Sequence, residues 1–281
     1  MWFSEKALVF VDARSAALAI YRQGLSGPRL LRFAFERFGS GGGPGASVAE
    51  AFSGSGALSR LARDLKAPRS DATLLLPLGA SFPSIVEVSS PRPLSSAEIA
   101  ETDLVRFKLA PLLPFAIAQS EVRTERSPSV RRGAVLAQAI LKATIAEGEK
   151  AMESFGFSRP RVTSTLSAAL SGLSPRPGVV DLVFGDAACA IAVRDALGAI
   201  DAIHLRLLVE GDDRAQRSVD EALRASAEVR EIRVLGEDAA ALRGKVRNAA
   251  VVPAFDTPAS PGASDPQQFP FLSVFHRRSL A

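Results

Sequence analysis

Two short acidic turns are the part of this sequence with the chemistry to hold a ligand. Leu8-Val9-Phe10-Val11-Asp12-Ala13-Arg14-Ser15-Ala16 lies near the N-terminus, and Leu182-Val183-Phe184-Gly185-Asp186-Ala187-Ala188-Cys189-Ala190 repeats its pattern. Each copy reads as an apolar strand, an acidic turn, small residues and a second apolar strand. Paired turns of this kind suit a polyphosphate. Backbone N–H groups point at phosphate oxygens, glycine lets the backbone approach and take positive φ, and an Asp can position hydrated Mg²⁺.

Neither turn carries the full set. Asp12 is present, but Arg14 stands where a glycine would serve, and Ala16, Ala17 and Ala19 follow. The second turn reads in two registers. With Asp186 as the acid, the glycine position holds Ala188; with Gly185 as the glycine, the acid position holds Val183. The favoured reading makes Asp12 and Asp186 turn residues that cap hairpins. Ser15 and Cys189 read as small packed residues. Arg14 is the phosphate partner if a nucleotide still binds. No catalytic residue is assigned.

The rest of the chemistry is sparse. The two histidines, His204 and His276, have no metal-ligand companion at usable spacing, so no metal site is expected. There is no P-loop and no Gly-x-Gly-x-x-Gly after a strand. The single cysteine, Cys189, permits no intrachain disulfide and fits a reducing compartment. No signal peptide precedes the first strand, and no apolar run reaches the ~20 residues that span a bilayer. A cytoplasmic protein is expected. The net charge of +4, with a pI near 9.6, comes mostly from arginines spread along the chain, which reads as a solvated basic surface, with contact with an acidic membrane or nucleic acid as the minor reading. Aromatic and basic residues do not interleave, so nucleic acid is not an expected partner.

The 281 residues, 47% hydrophobic, are enough for one large domain or two modest ones. Strands are expected at 7–22 (a hairpin), 29–38, 71–77, 85–88, 119–125, 133–142, 161–164, 179–194 (a second hairpin), 201–209, 231–236 and 249–253. Helices are expected at 47–66, 95–109, 144–155, 165–173, 218–229 and 239–248. Ser95-Ser96-Ala97-Glu98 and Ser218-Val219-Asp220-Glu221 read as capping boxes. Pro111 and Pro114 end the helix before an apolar knot at Leu112-Leu113-Pro114-Phe115. A Pro/Ser/Gly-rich loop at 257–268 leads to a terminal helix at 269–281 that docks back. Strands and helices alternate, with a hairpin opening each half, which indicates an α/β protein of two similar lobes.

The order of these elements resembles PilM, the actin-like family of type IV pilus assembly, and is similar to the GspL cytoplasmic domains of type II secretion. That family opens with a strand, an Asp-x-Gly-Ser/Thr turn and a second strand, where Asp12-Ala13-Arg14-Ser15 stands. Its inserted subdomain carries a strand ending in Pro, a Ser-x-x-Glu helix and an Ile-Pro-Phe segment. Leu76-Pro77, Ser95-Ser96-Ala97-Glu98 and Leu113-Pro114-Phe115 stand there in order. A second phosphate turn falls near Gly185-Asp186, and a Gly-Gly turn touching adenosine falls at Gly236, where Glu237 replaces the second glycine. Gly236 follows Asp186 by only about fifty residues, shorter than the family's usual spacing.

The resemblance implies an actin-like (ribonuclease H-like) two-lobed fold. The first lobe would take 1–174, with an inserted subdomain at about 77–143. A reduced second lobe would take 175–256. It also implies a degenerate nucleotide site at Asp12, Arg14, Ser15, Gly185, Asp186 and Gly236, with ATP and Mg²⁺ disfavoured. It implies a cytoplasmic scaffold recruited to the inner membrane by the tail of a PilN-like membrane protein, with an assembly ATPase and self-association as further contacts. The matching docking residues are Phe107, Leu112, Leu113, Pro114 and Phe115, which could equally fill the subdomain's own core. His276-Arg277-Arg278 reads as a solvated end or a contact for anionic lipid or an acidic partner. The competing reading, an active ATPase or kinase of this fold, needs intact Asp-x-Gly turns.

Overall fold

The computed structural model describes residues 4–12, 15–24, 27–37, 56–88, 97–125, 130–208, 214–225, 229–236, 249–253 and 269–275. Arg14, Ser95, Ser96, Glu237, the helix expected at 239–248, the loop at 257–268 and His276–Arg278 lie outside them. So does the first half of the helix expected at 47–66.

The repeat seen in the sequence is a structural repeat. In the first lobe, β1 (Glu5–Asp12) and β2 (Ser15–Gly24) form an antiparallel hairpin, and β3 (Gly27–Arg37) extends it. On the other side β1 pairs in parallel with β4 (Ala72–Leu76), which pairs in parallel with β8 (Arg161–Ser164). The sheet order is β3-β2-β1-β4-β8. The second lobe repeats it as β11-β10-β9-β12-β13, from β9 (Val179–Phe184), β10 (Ala188–Arg194), β11 (Ile200–Leu207), β12 (Glu231–Leu235) and β13 (Ala250–Pro253). β1 and β9 read as near-continuous apolar runs because both faces of each strand are buried in apolar clusters.

A third sheet interrupts the first lobe, in the order β5-β7-β6: β5 (Ser81–Glu87), β7 (Ala134–Leu141) and β6 (Ser120–Glu125). Pro83 is tolerated because β5 is an edge strand with a free N–H side. Pro28 and Pro253 sit likewise at the ends of edge strands.

Helix α1 (Ala57–Asp64) buries Leu58 and Leu61 against β2 and β3. Helix α2 (Ala97–Leu109) packs Val105 and Leu109 onto Val86, Val135 and Ala137 of the third sheet. Helix α3 (Lys142–Ser154) buries Ile145 and Met152 in the first-lobe core. Gly148 leaves room for the buried Leu74 there, since a Cβ would lie 2.8 Å from a Leu74 methyl, which would have to shift. Helix α4 (Thr165–Ser171) starts at Ser164, whose hydroxyl accepts the Leu166 N–H at 3.1 Å, a side-chain N-cap. Its Leu166, Ala169 and Leu170 join Leu136, Val183, Ala190 and Leu235, so α4 fills the space between the lobes.

Two expectations are corrected. Helix α5 runs over Arg214–Ala225 and begins four residues before Ser218, so Ser218 is no cap. Its hydroxyl is buried in the helix interface and makes no hydrogen bond in the structure. The apolar stripe of Val219 and Ala222 against the second-lobe sheet outweighed the local capping pattern. The terminal segment docks back as expected, but as a 3₁₀ turn over Pro270–Phe275. Phe269, Phe271 and Leu272 are buried on Leu8, Phe10, Ala17, Ala19 and Leu75. The Ser273 hydroxyl donates to the Ala169 carbonyl at 2.7 Å. No helix among the described residues is long and apolar enough to cross a membrane.

Candidate functional site

The two acidic turns meet. Strands β1 and β9 lie in equivalent central positions of their sheets, and each ends at the cleft between the lobes. The Asp12 carboxylate accepts the Asp186 N–H at 3.1 Å. The second turn is closed by the Gly185 N–H donating to the Ala188 carbonyl at 2.8 Å. A Cβ on Gly185 would stand 3.0 Å from the Asp12 carboxylate, so the glycine eases the close approach of the turns. Asp12 is only 4% exposed, and Ser15 beside it is buried. The Asp12 carboxylate thus spends one oxygen on the backbone of the opposite lobe.

Gly236 follows β12 with φ +83, the left-handed region. A Cβ there would fall 2.3 Å from the Phe184 carbonyl oxygen and 3.3 Å from Pro270. Close packing of chain on chain accounts for this glycine without a ligand. The structure therefore brings Asp12, Ser15, Gly185 and Asp186 to one place, with Gly236 beside the end of β9. Among the described residues no three His, Cys, Asp or Glu side chains gather to hold a metal ion.

The residues expected to dock a partner divide. Phe107 is 79% exposed and Leu112 66%, both outside the core. Leu113 and Phe115 are half-buried, and Phe115 meets Phe82 edge-on with ring centroids 5.0 Å apart. Pro114 is exposed. Val105 and Leu109, one helical turn apart, supply the core contacts instead.

A second feature lies on the other face of the inserted sheet, and the sequence did not point to it. β6 ends the three-stranded sheet and β8 ends the first-lobe sheet, so two strands present outer edges that pair with no described strand. The Arg123 guanidinium of β6 crosses between them and donates to the Val162 carbonyl of β8. Gln138, opposite Arg123 in the β6–β7 register, donates to the Ser167 hydroxyl of α4 at 2.6 Å. Its own carbonyl oxygen is buried with no hydrogen-bond partner in the structure. Ser81 and Ser164 share a hydrogen bond at 3.1 Å nearby. A polar Gln in the apolar run Ala134–Leu141 was the available signal.

A buried ionic group was missed as well. Asp181 of β9 pairs with Arg194 at 2.7 Å and with Arg233 at 2.6 Å, and the Asp181 and Arg194 side chains are wholly buried. Arg194 also donates to the Gly198 carbonyl, and Arg233 to that of Ser174 in the link between the lobes. Burial holds the Arg194 guanidinium below its usual pKa while Asp181 pushes it back up. The signal was one Asp inside a six-residue buried strand.

No protein-family model matches the sequence, and no curated protein matches it. Solved structures do match. The structure of a PilM-PilN type IV pilus biogenesis complex matches with a TM-score of 0.64 and 17% identity, over 97% of this chain and 97% of that one. The cytoplasmic domain of EpsL, an inner-membrane component of the type II secretion system of Vibrio cholerae, matches with a TM-score of 0.50 and 12% identity, over 83% and 82%. A Bacteroides thetaiotaomicron protein described as having an actin-like ATPase fold and unknown function reaches 0.49 at 9% identity, over 83% and 82%. With paired β-β-β sheets around a shared cleft and a third sheet inserted in the first lobe, this chain has the actin-like fold and is similar to PilM and the EpsL cytoplasmic domain.

Proposed function

We propose that this protein is an actin-like scaffold of a type IV pilus or type II secretion assembly complex at the cytoplasmic face of the inner membrane. It binds the extended cytoplasmic tail of a PilN-like membrane protein and does not turn over nucleotide. Its working parts are a first lobe at 1–174 with its inserted subdomain and a reduced second lobe at 175–256.

The observation that carries the tail reading is the pair of facing strand edges, β6 and β8, spanned by a single arginine. An extended peptide gains main-chain hydrogen bonds from such an edge and specificity from pockets for alternate side chains. Phe107 and Leu112 offer exposed apolar surface on the inserted subdomain for the same partner. The neighbour with the full-length match was solved as a complex with PilN, which supports the choice of partner. The absence of turnover is supported by the Asp12 contact to Asp186 and by Arg14 in the place of a turn glycine.

Calorimetry with N-terminal tail peptides of the PilN- or GspL-like proteins encoded beside its gene tests this. One tail binds with micromolar Kd, and Arg123→Ala weakens it. A folded chain that ignores every such tail overturns the proposal.

A further inference from the structure

Helix α2 is apolar on two sides. Val105 and Leu109, four residues apart, are buried on the inserted sheet. Leu104, Phe107 and Pro111 follow a second row at spacings of three and four, and Leu112 of the adjoining 3₁₀ turn Ala110–Leu112 extends it. Leu104 is half-buried, and Phe107, Pro111 and Leu112 are exposed. One apolar stripe is enough to seat a helix on its sheet, so the second row is left over.

The charges beside the second row identify what covers it. At 3.6 residues per turn, Glu101 and Lys108 lie on one flank of the row, Asp103 and Arg106 on the other. On both flanks the acid precedes the base, and both pairs are centred between Leu104 and Val105. A two-fold axis at that point sets a second α2 alongside in antiparallel sense and keeps each flank against its own copy. Glu101 of each chain then meets Lys108 of the other, and Asp103 meets Arg106. The Phe107 ring of each chain lies against Leu104 of the other. A parallel copy would set acid on acid and base on base.

No folding is needed for this contact. Val105 and Leu109 already hold the 13-residue helix on its sheet, so pairing orders little new structure. The Lys108 ammonium donates to the Glu87 carbonyl at 2.9 Å, which fixes it at the edge of the row with N–H donors to spare.

We infer that the outer face of α2 is a self-association surface, closed in the tail-free protein by α2 of a second copy in antiparallel array. The inference goes beyond the proposed function and uses neither β6 nor β8, whose edges pair with the tail's main chain in that reading. Phe107 and Leu112 are common to both readings, so the test is run without tail peptide.

Sedimentation equilibrium of the full-length chain spans about 5 to 500 µM, the weak range suited to an interface below about 1,200 Å². The mass rises from one chain to two and no further. Phe107→Ser with Leu112→Ser keeps the mass of one chain throughout. Glu101→Lys and Lys108→Glu each weaken association about tenfold, because two symmetry-related ion pairs become like-charge contacts. Mixed together, these two variants associate with each other as tightly as wild type, which a folding defect could not produce. The double variant Glu101→Lys with Lys108→Glu recovers self-association.

A mass of one chain at every concentration, growth beyond two chains, or no recovery on mixing overturns the inference. A chain that stays single and needs Phe107 to bind an added tail peptide gives the face to the tail, and overturns it too. Tail binding that fails while the dimer forms counts against the tail reading alone.

Discussion

The N–H of Asp186 donates to the carboxylate of Asp12, two residues 174 positions apart that close equivalent hairpins in opposite lobes. The contact ties the lobes at the two acidic turns, which the proposed function takes as a degenerate nucleotide site. It follows that calorimetry with Mg-ATP gives no heat of binding, and that Asp12→Ala lowers stability by about 1–3 kcal/mol by removing a part-buried hydrogen bond to a charged group. Micromolar ATP binding by the wild-type chain contradicts this and favours an active nucleotide site.

The Asp181 group behaves differently from a surface ion pair. Asp181 is enclosed between Arg194 and Arg233, and its removal strands two buried cations. Asp181→Ala costs about 3–5 kcal/mol in urea unfolding, whereas replacing either member of the exposed pair Arg60–Glu36 leaves the urea midpoint close to wild type.

The C-terminal turn is held by side chains and one hydroxyl. A Cβ on Gly172 would fall 2.2 Å from the Ser273 carbonyl group, so Gly172→Ala lifts the segment from α4. Phe271→Ala, at a fully buried ring, costs about 3–5 kcal/mol. Limited proteolysis reads both: cleavage ahead of residue 269 becomes faster in each variant.

On the inserted subdomain, exposure separates binding from folding. Leu109→Ala costs about 2–5 kcal/mol because Leu109 is a core residue of that sheet. Phe107→Ser with Leu112→Ser stays within about 0.5 kcal/mol of wild type each. If the tail docks here, the double variant loses tail affinity at unchanged Tm.

Tyr21 is the chain's single tyrosine, so its ionisation is readable by absorbance. Burial raises its pKa, and Asp71 adds to the rise against the opposing pull of Arg161. A phenol whose folded pKa lies above the unfolded value of about 10 stabilises the fold below that pH. The stability is lost as pH rises through the folded pKa. The absorbance midpoint therefore lies above that of the urea-unfolded chain, and urea midpoints fall across the same alkaline window.

The repeat at Leu8–Ala16 and Leu182–Ala190 was enough to establish two lobes opened by matching hairpins, because apolar runs broken by an acidic turn carry their own geometry. The alternation of strands and helices, and the docking of Phe269–Phe275, were legible for the same reason: local propensity and apolar pattern agree there. What needed the fold was every property that depends on which distant residues become neighbours. Ser218 reads as a cap until the apolar stripe of its helix is placed on a sheet. Arg123 and Val162, and Asp181 and Arg233, are far apart in sequence. The parallel crossovers that join them are set by the packing of helices between sheets. Local residue order determines elements and their repeat; only the closing of those crossovers decides that Asp12 ends on a backbone N–H of the opposite lobe.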